Sequence, residues 1–244
     1  MMDKEAIAQI QDSFNFHAIE KIDDLQYLIK PGNSGAQLIA PPEVEPLKTH
    51  TLAGVVNYFN EGADAKENVK LVWVPAHDQV NVLSPINERY KSRDIYLTAS
   101  PFVGRGMPEG SYLDMEDFII RAMQGFAETE NLKKLLSFLG SIRSEDVRED
   151  ADDGITQKVT VRAGIASLAE AKVPNPIMLS PYVTFSEIDQ PQVTYVFRMK
   201  KNKDGDRPLC ALFKSDNDSW MIDTVQKIVD YLSKNIKSKI KIIY

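Results

Sequence analysis

Apolar and polar positions change period several times along this chain, and each change marks an element. Ile7, Ile10 and Phe14 recur at helical spacing and predict a short N-terminal helix. Leu25 to Ile29 is a β-prone run stopped by Pro31-Gly32, and Gln37 to Ile39 is a second extended piece. The stretch from Pro41 to Pro46 is proline-rich and acidic, so it reads as an extended connector. Leu52, Val55, Val56 and Phe59 form the apolar stripe of a helix, with Thr49 or Thr51 able to cap its start and Gly62 able to stop it. Strands are expected at Val69 to Val74, Gln79 to Ser84 and Asp94 to Thr98, the first two as a hairpin. Val80 and Val82 alternate with polar neighbours, which predicts one wet face on that strand.

A loop follows, carrying Pro101, Gly104, Gly106, Pro108 and Gly110, and Ser111 with Asp114 resembles a capping box. Met115, Phe118, Ile119, Ala122, Met123 and Phe126 form one helical stripe, and Leu132, Leu135, Leu136 and Leu139 form another after Thr129. The short link between them predicts a helical hairpin. The acidic segment Glu145 to Asp153 is expected to be a solvated turn, and Ile155, Val159 and Val161 then alternate with polar residues as a half-buried strand. Val173 to Pro181 holds three prolines and is expected to be extended. Val193, Tyr195, Phe197 and Met199 alternate with Thr194, Arg198 and Lys200; Lys201 to Arg207 is a charged hairpin loop, and Leu209 to Phe213 is the return strand. Met221, Val225, Ile228 and Leu232 predict a last helix, capped from Asp216, Asp218 or Ser219. Lys239 to Ile242 alternates as a terminal edge strand, and exposed edges of that kind tend to pair, so a homo-oligomer is an expectation.

Strands cluster in runs instead of alternating with helices. The fold class is therefore α+β: mainly antiparallel sheet with a central helical hairpin and a C-terminal helix packed on the sheet. Residues 1–244 read as a single domain or as two lobes, 1–100 and 112–244, with a soft boundary at 100–112.

Composition narrows the function. Of 244 residues, 43% are hydrophobic and 26% charged, values that support a buried core and argue against wholesale disorder. The net charge of −6 disfavours strong non-specific nucleic-acid binding, which needs clustered Lys and Arg. A single cysteine, Cys210, excludes an intrachain disulfide and fits a reducing cytoplasm. No basic n-region and apolar h-region open the chain, and no apolar run approaches membrane-spanning length, so neither a secretory signal nor a membrane partner is expected.

No motif identifies a reaction. His17, His50 and His77 have no Cys, His or carboxylate at ligand spacing, so no metal and no cofactor is expected. Cys210, between Leu209 and Ala211 on a strand, reads as a buried thiol and not a nucleophile. Glu145, Asp146, Glu149, Asp150, Asp152 and Asp153 lack the order of a calcium loop. Gly104-Arg105-Gly106 before a helix could hold a phosphate, but without a recognised phosphate-loop order an ordinary connector is the expectation. Tyr195 and Phe197 share a strand face from which Arg198 and Lys200 point away, which favours core packing of those rings over base stacking.

Several strings resemble a known family: Lys48-Thr49-His50-Thr51-Leu52 with Gly54, Asp152 to Thr160, Val173-Pro174-Asn175-Pro176, Pro181-Tyr182, and Phe197-Arg198-Met199-Lys200. They resemble the YfdQ-like family of phage and prophage proteins of unknown function, in the branch from phages of Gram-positive bacteria. The resemblance implies a phage-encoded protein acting in the bacterial host cell, and implies no catalytic residues. Three functions compete. One is a non-catalytic binding or accessory protein whose partner is a host or phage protein, serving host takeover, counter-defence or phage DNA metabolism. Another sequesters a small nucleotide signal, which needs convergent cations such as Arg105, Arg162 and Arg198 with aromatic groups. The third is a metal-dependent hydrolase, which needs Glu149, Asp150, Asp152 and Asp153 to converge on an ion.

Overall fold

Two sheets and four helices build two apolar cores in the computed structural model, which describes residues 18–29, 36–40, 45–62, 71–104, 106–142, 147–152, 157–161, 175–200, 202 and 208–244, with residues 5 and 9. The predicted N-terminal helix stripe lies outside these residues. Strands β1 (Ala18–Ile22), β2 (Leu25–Ile29) and β3 (Ala36–Leu38) form a small antiparallel meander.

The first core lies under a five-stranded sheet. Its strands are β4 (Leu47–Thr49), β5 (Leu71–Ala76), β6 (Gln79–Leu83), β7 (Ile95–Ala99) and β14 (Lys241–Ile243), in the order β14-β5-β6-β7-β4. The three middle strands are antiparallel, and both edge strands join parallel. Helices α1 (Leu52–Glu61) and α4 (Trp220–Asn235) cover one face. Val72, Val74, Val80, Val82, Leu97 and Ala99 of the sheet meet Leu52, Val55, Ile228 and Leu232 of the helices, with Phe185 between. Each of these side chains larger than alanine, fully buried, contributes roughly 1.5–3 kcal/mol through removal of apolar surface from water. Thr51, not Thr49, caps α1, its hydroxyl accepting from Gly54 N–H. Gly62 ends the helix in the left-handed region at φ 68°. Ser219 stands at the start of α4 without a side-chain cap bond.

The second core lies under a four-stranded antiparallel sheet. Strands β8 (Leu113–Asp114), β11 (Ile177–Leu179), β12 (Val193–Lys200) and β13 (Leu209–Lys214) run in the order β11-β12-β13-β8. Helices α2 (Met115–Gly125) and α3 (Glu130–Ser141) form the predicted hairpin and pack on one face through Phe118, Ala122, Leu132, Leu135 and Leu139. Phe197 meets Phe118, and Tyr195 meets Phe126, edge to face. The architecture is the α+β, mainly antiparallel fold expected, with the helical hairpin at its centre and the last helix packed on a sheet. Among the described residues, no helix is long and apolar enough to cross a membrane.

Three local expectations are corrected. The face of β6 opposite the valines is not wet: Asn81 and Leu83 are buried there, and hydrogen bonds from Thr98 and Gln79 to the Asn81 side-chain oxygen offset the cost of removing it from water. Ser111 does not cap α2; Asp114 does, accepting from Asp117 N–H at 2.9 Å. The acidic segment is not simply a turn. Val147–Asp152 forms strand β9, paired antiparallel with β10 (Gln157–Val161), so the backbone groups that face β10 are taken up by a ladder.

Candidate functional site

The outer face of the four-stranded sheet gathers charge and aromatic surface from three strands. Alternation along β12 sends Val193, Phe197 and Met199 into the second core and leaves Thr194, Val196, Arg198 and Lys200 on the other side. Antiparallel register then fixes their neighbours, since directly opposed residues share a face. Val196 opposes Phe213, Arg198 opposes Ala211 and Lys200 opposes Leu209, which in turn opposes Asp114 of β8.

Tyr112, just before β8, completes the cluster. Lys200 Nζ lies 3.8 Å from the centre of its ring, and the Tyr112 and Phe213 rings meet edge to face at 6.0 Å. Lys200 is exposed, while Arg198, Tyr112, Phe213 and Val196 are half-buried. Ala211 is fully buried and small, so the sheet is low beside the Arg198 side chain. One Nη of Arg198 donates to the Phe197 carbonyl at 3.5 Å. Gly110 holds the approach to β8 close. Its N–H donates to the Leu212 carbonyl at 2.9 Å and its φ is +66°, while an added Cβ would stand 3.4 Å from the Phe213 ring. The nearest carboxylate in the register, Asp114, is turned to the start of α2, where it caps the helix.

Two cations and two rings on one pleated face suit an anionic ligand with a flat ring. Guanidinium and ammonium groups recognise phosphate or carboxylate, and ring faces stack on bases. Tyr195, on the core side of the same strand, is not part of this surface. Burial, followed by the charges of Glu109 and Asp216, pushes its hydroxyl up to about 12.

Of the three arginines suggested by sequence, Arg198 stands on this face, whereas Arg105 and Arg162 lie outside the described residues. Lys200, Tyr112 and Phe213 were not among the residues suggested. Arg198 and Lys200 were legible as sharing a side of their strand; the rings come from strands whose register no local pattern encodes.

The other sequence candidates are dispersed. Cys210 is fully buried in the second core, and burial, then the charge of Asp114, pushes its thiol up to about 12. His50 Nδ1 is 2.8 Å from the Ser100 carbonyl, and its ring stacks on the exposed Phe102. The His77 and Trp220 rings meet in a T-shaped contact, their centres 5.0 Å apart. His17 is outside the described residues, as are Glu145, Asp146, Asp153 and the side chains of Glu149, Asp150 and Asp152. The helix after the Gly104–Gly106 loop opens with Asp114, Glu116 and Asp117, a negative start that repels rather than holds a phosphate.

No protein-family model, curated protein or solved structure matches the chain. The site therefore rests on its own geometry.

Proposed function

We propose that this chain is a non-catalytic binding protein that takes a nucleotide-class ligand on the outer face of the four-stranded sheet. The observation that carries this reading is the convergence of Arg198, Lys200, Tyr112 and Phe213 on one half-exposed face. In it, Arg198 and Lys200 neutralise the phosphate, and the base lies against the rings. The resemblance to phage proteins supplies the setting: a phage-encoded protein in the bacterial cytoplasm that sequesters a nucleotide signal serves counter-defence.

Native mass spectrometry of the purified protein, followed by thermal unfolding with a panel of cyclic and linear nucleotides, tests the reading. A retained nucleotide mass, or a concentration-dependent rise in melting temperature, is expected. At a ligand concentration of 100 Kd the gain is about 2.7 kcal/mol. The Arg198→Gln and Lys200→Gln variants should each reduce the rise. A panel without any shift, or a shift unchanged in both variants, overturns the proposal.

A further inference from the structure

The five-stranded sheet has a second face, opposite α1 and α4. Its register aligns a row that crosses all five strands: Ile243, Trp73, Asn81, Thr98 and Lys48. Beside it runs a second row of Lys241, Leu71, Leu83 and Ile95, which Ile95 joins through a bulge in the β6–β7 pairing that leaves Tyr96 packed against the first core. The middle of this face is closed. Asn81, Leu71 and Leu83 are buried, and Thr98 Oγ1 donates to Asn81 Oδ1 at 3.0 Å. Around that floor stand large apolar side chains with much of their surface in water: Trp73 at 42%, Ile243 at 40% and Ile95 at 38% exposed.

The charges in these two rows are one-sided. Lys48 and Lys241 are both exposed, on the two opposite edge strands, and neither row contains a carboxylate. This holds although the whole chain carries a net charge of −6. The solvent side of an antiparallel sheet is ordinarily polar. Tryptophan and isoleucine side by side there are the composition of an interface centre, and the lysines form its charged rim.

We propose that this face is a docking surface for a segment of another protein that carries apolar side chains flanked by carboxylates. The apolar side chains cover Trp73, Ile243 and Ile95, and the carboxylates meet Lys48 and Lys241. A second copy of this chain is the poorer occupant, because self-docking sets lysine-edged rows against lysine-edged rows. The surface belongs to a different sheet from the nucleotide face and stands independently of it.

A random dodecapeptide display library, panned on the intact protein and counter-selected on a Trp73→Ser/Ile243→Ser variant of confirmed circular dichroism, tests the proposal. Enriched peptides are then synthesised and titrated in a Trp220→Phe background, so that Trp73 emission reports binding alone. The expected peptides are net negative, with Asp or Glu beside apolar residues, and they shift Trp73 emission saturably. The Lys48→Glu/Lys241→Glu variant, which changes only exposed side chains, should weaken them several-fold, and added salt should weaken them as well. Neutral or basic peptides, failure of any peptide to prefer the parent chain, or affinity unaffected by the lysine reversal overturns it. A concentration-dependent emission shift without peptide, together with a dimer mass in sedimentation, overturns it in favour of a second copy.

Discussion

The Lys200 ammonium lies 3.8 Å from the centre of the Tyr112 ring, on the same sheet face as Arg198 and Phe213. This contact joins β12 to the chain entering β8 across the intervening strand β13. At an exposed site a cation–ring pair contributes about 0.5–1 kcal/mol. A double-mutant cycle of Lys200→Met and Tyr112→Leu should therefore return a coupling of about that size in urea unfolding. In the same variants, the nucleotide-induced rise in melting temperature should fall much further than the basal stability does. A coupling of zero would remove the ring contact from the account of the site.

Cys210 and Tyr195 make stability sensitive to alkali. The Cys210 thiol rises from its ordinary 9.0 to about 12 because burial penalises the thiolate, with Asp114 adding to the effect. The unfolded chain therefore releases this proton earlier than the folded one. The sign follows: the stability is intact below pH 9 and is lost as pH rises towards 12. At pH 10 one unit of this linkage amounts to about 1.4 kcal/mol. Urea midpoints should fall between pH 8 and pH 10, and Cys210→Ala should flatten that fall while leaving the slope due to Tyr195, which is also pushed up to about 12. In the folded protein at pH 8, iodoacetamide should leave Cys210 unmodified; rapid alkylation would contradict its burial.

Trp220 is held by ring contacts and not by its N–H. Its Nε1 is buried without a hydrogen-bond partner among the described residues. The ring makes a T-shaped contact with His77 and lies 5.3 Å from the Lys214 ammonium, which also pairs with Asp216 and Asp218. A buried donor without a partner costs about 1–3 kcal/mol. Trp220→Phe removes that donor and keeps an aromatic ring, so its urea midpoint should match or exceed that of the parent. A loss above about 2 kcal/mol would show that the N–H is satisfied, for instance by an internal water.

Local periodicity carried the elements, and pairing carried what it could not. The stripe of Leu52, Val55, Val56 and Phe59, closed by Thr51 and Gly62, encodes α1 within the chain's own neighbourhood. The same is true of the alternation in β12 and β13. Asn81 looked like a solvent-facing residue because its partner across the sheet, Thr98, is chosen by register, while Gln79 lies two residues away on its own strand. The candidate site followed the same division. Arg198 and Lys200 were legible together, whereas Tyr112 and Phe213 reach them only through β13 pairing with both β12 and β8. Nor does α4 contain any signal that it packs beside α1 under the first sheet; its stripe of Ile228 and Leu232 would suit either core.

The C-terminal strand offers the sharpest test of the first core. Lys241, Ile242 and Ile243 pair in parallel with Leu71, Val72 and Trp73, and Ile240 and Ile242 pack, partly buried, against the core. Deleting residues 238–244 leaves β5 as an open edge and uncovers that apolar surface. Two half-buried isoleucines are worth roughly 2 kcal/mol together. For a chain of this size that corresponds to a melting temperature lower by about 4–8 °C. The terminal strand also offers a free edge to a second copy, so the deletion and a light-scattering mass belong in one experiment, read at a temperature where the shortened chain keeps its far-ultraviolet dichroism. A lower melting temperature with unchanged mass assigns β14 to its own sheet alone. A lower mass as well adds edge pairing between copies, and an unchanged melting temperature would contradict the pairing of β14 with β5.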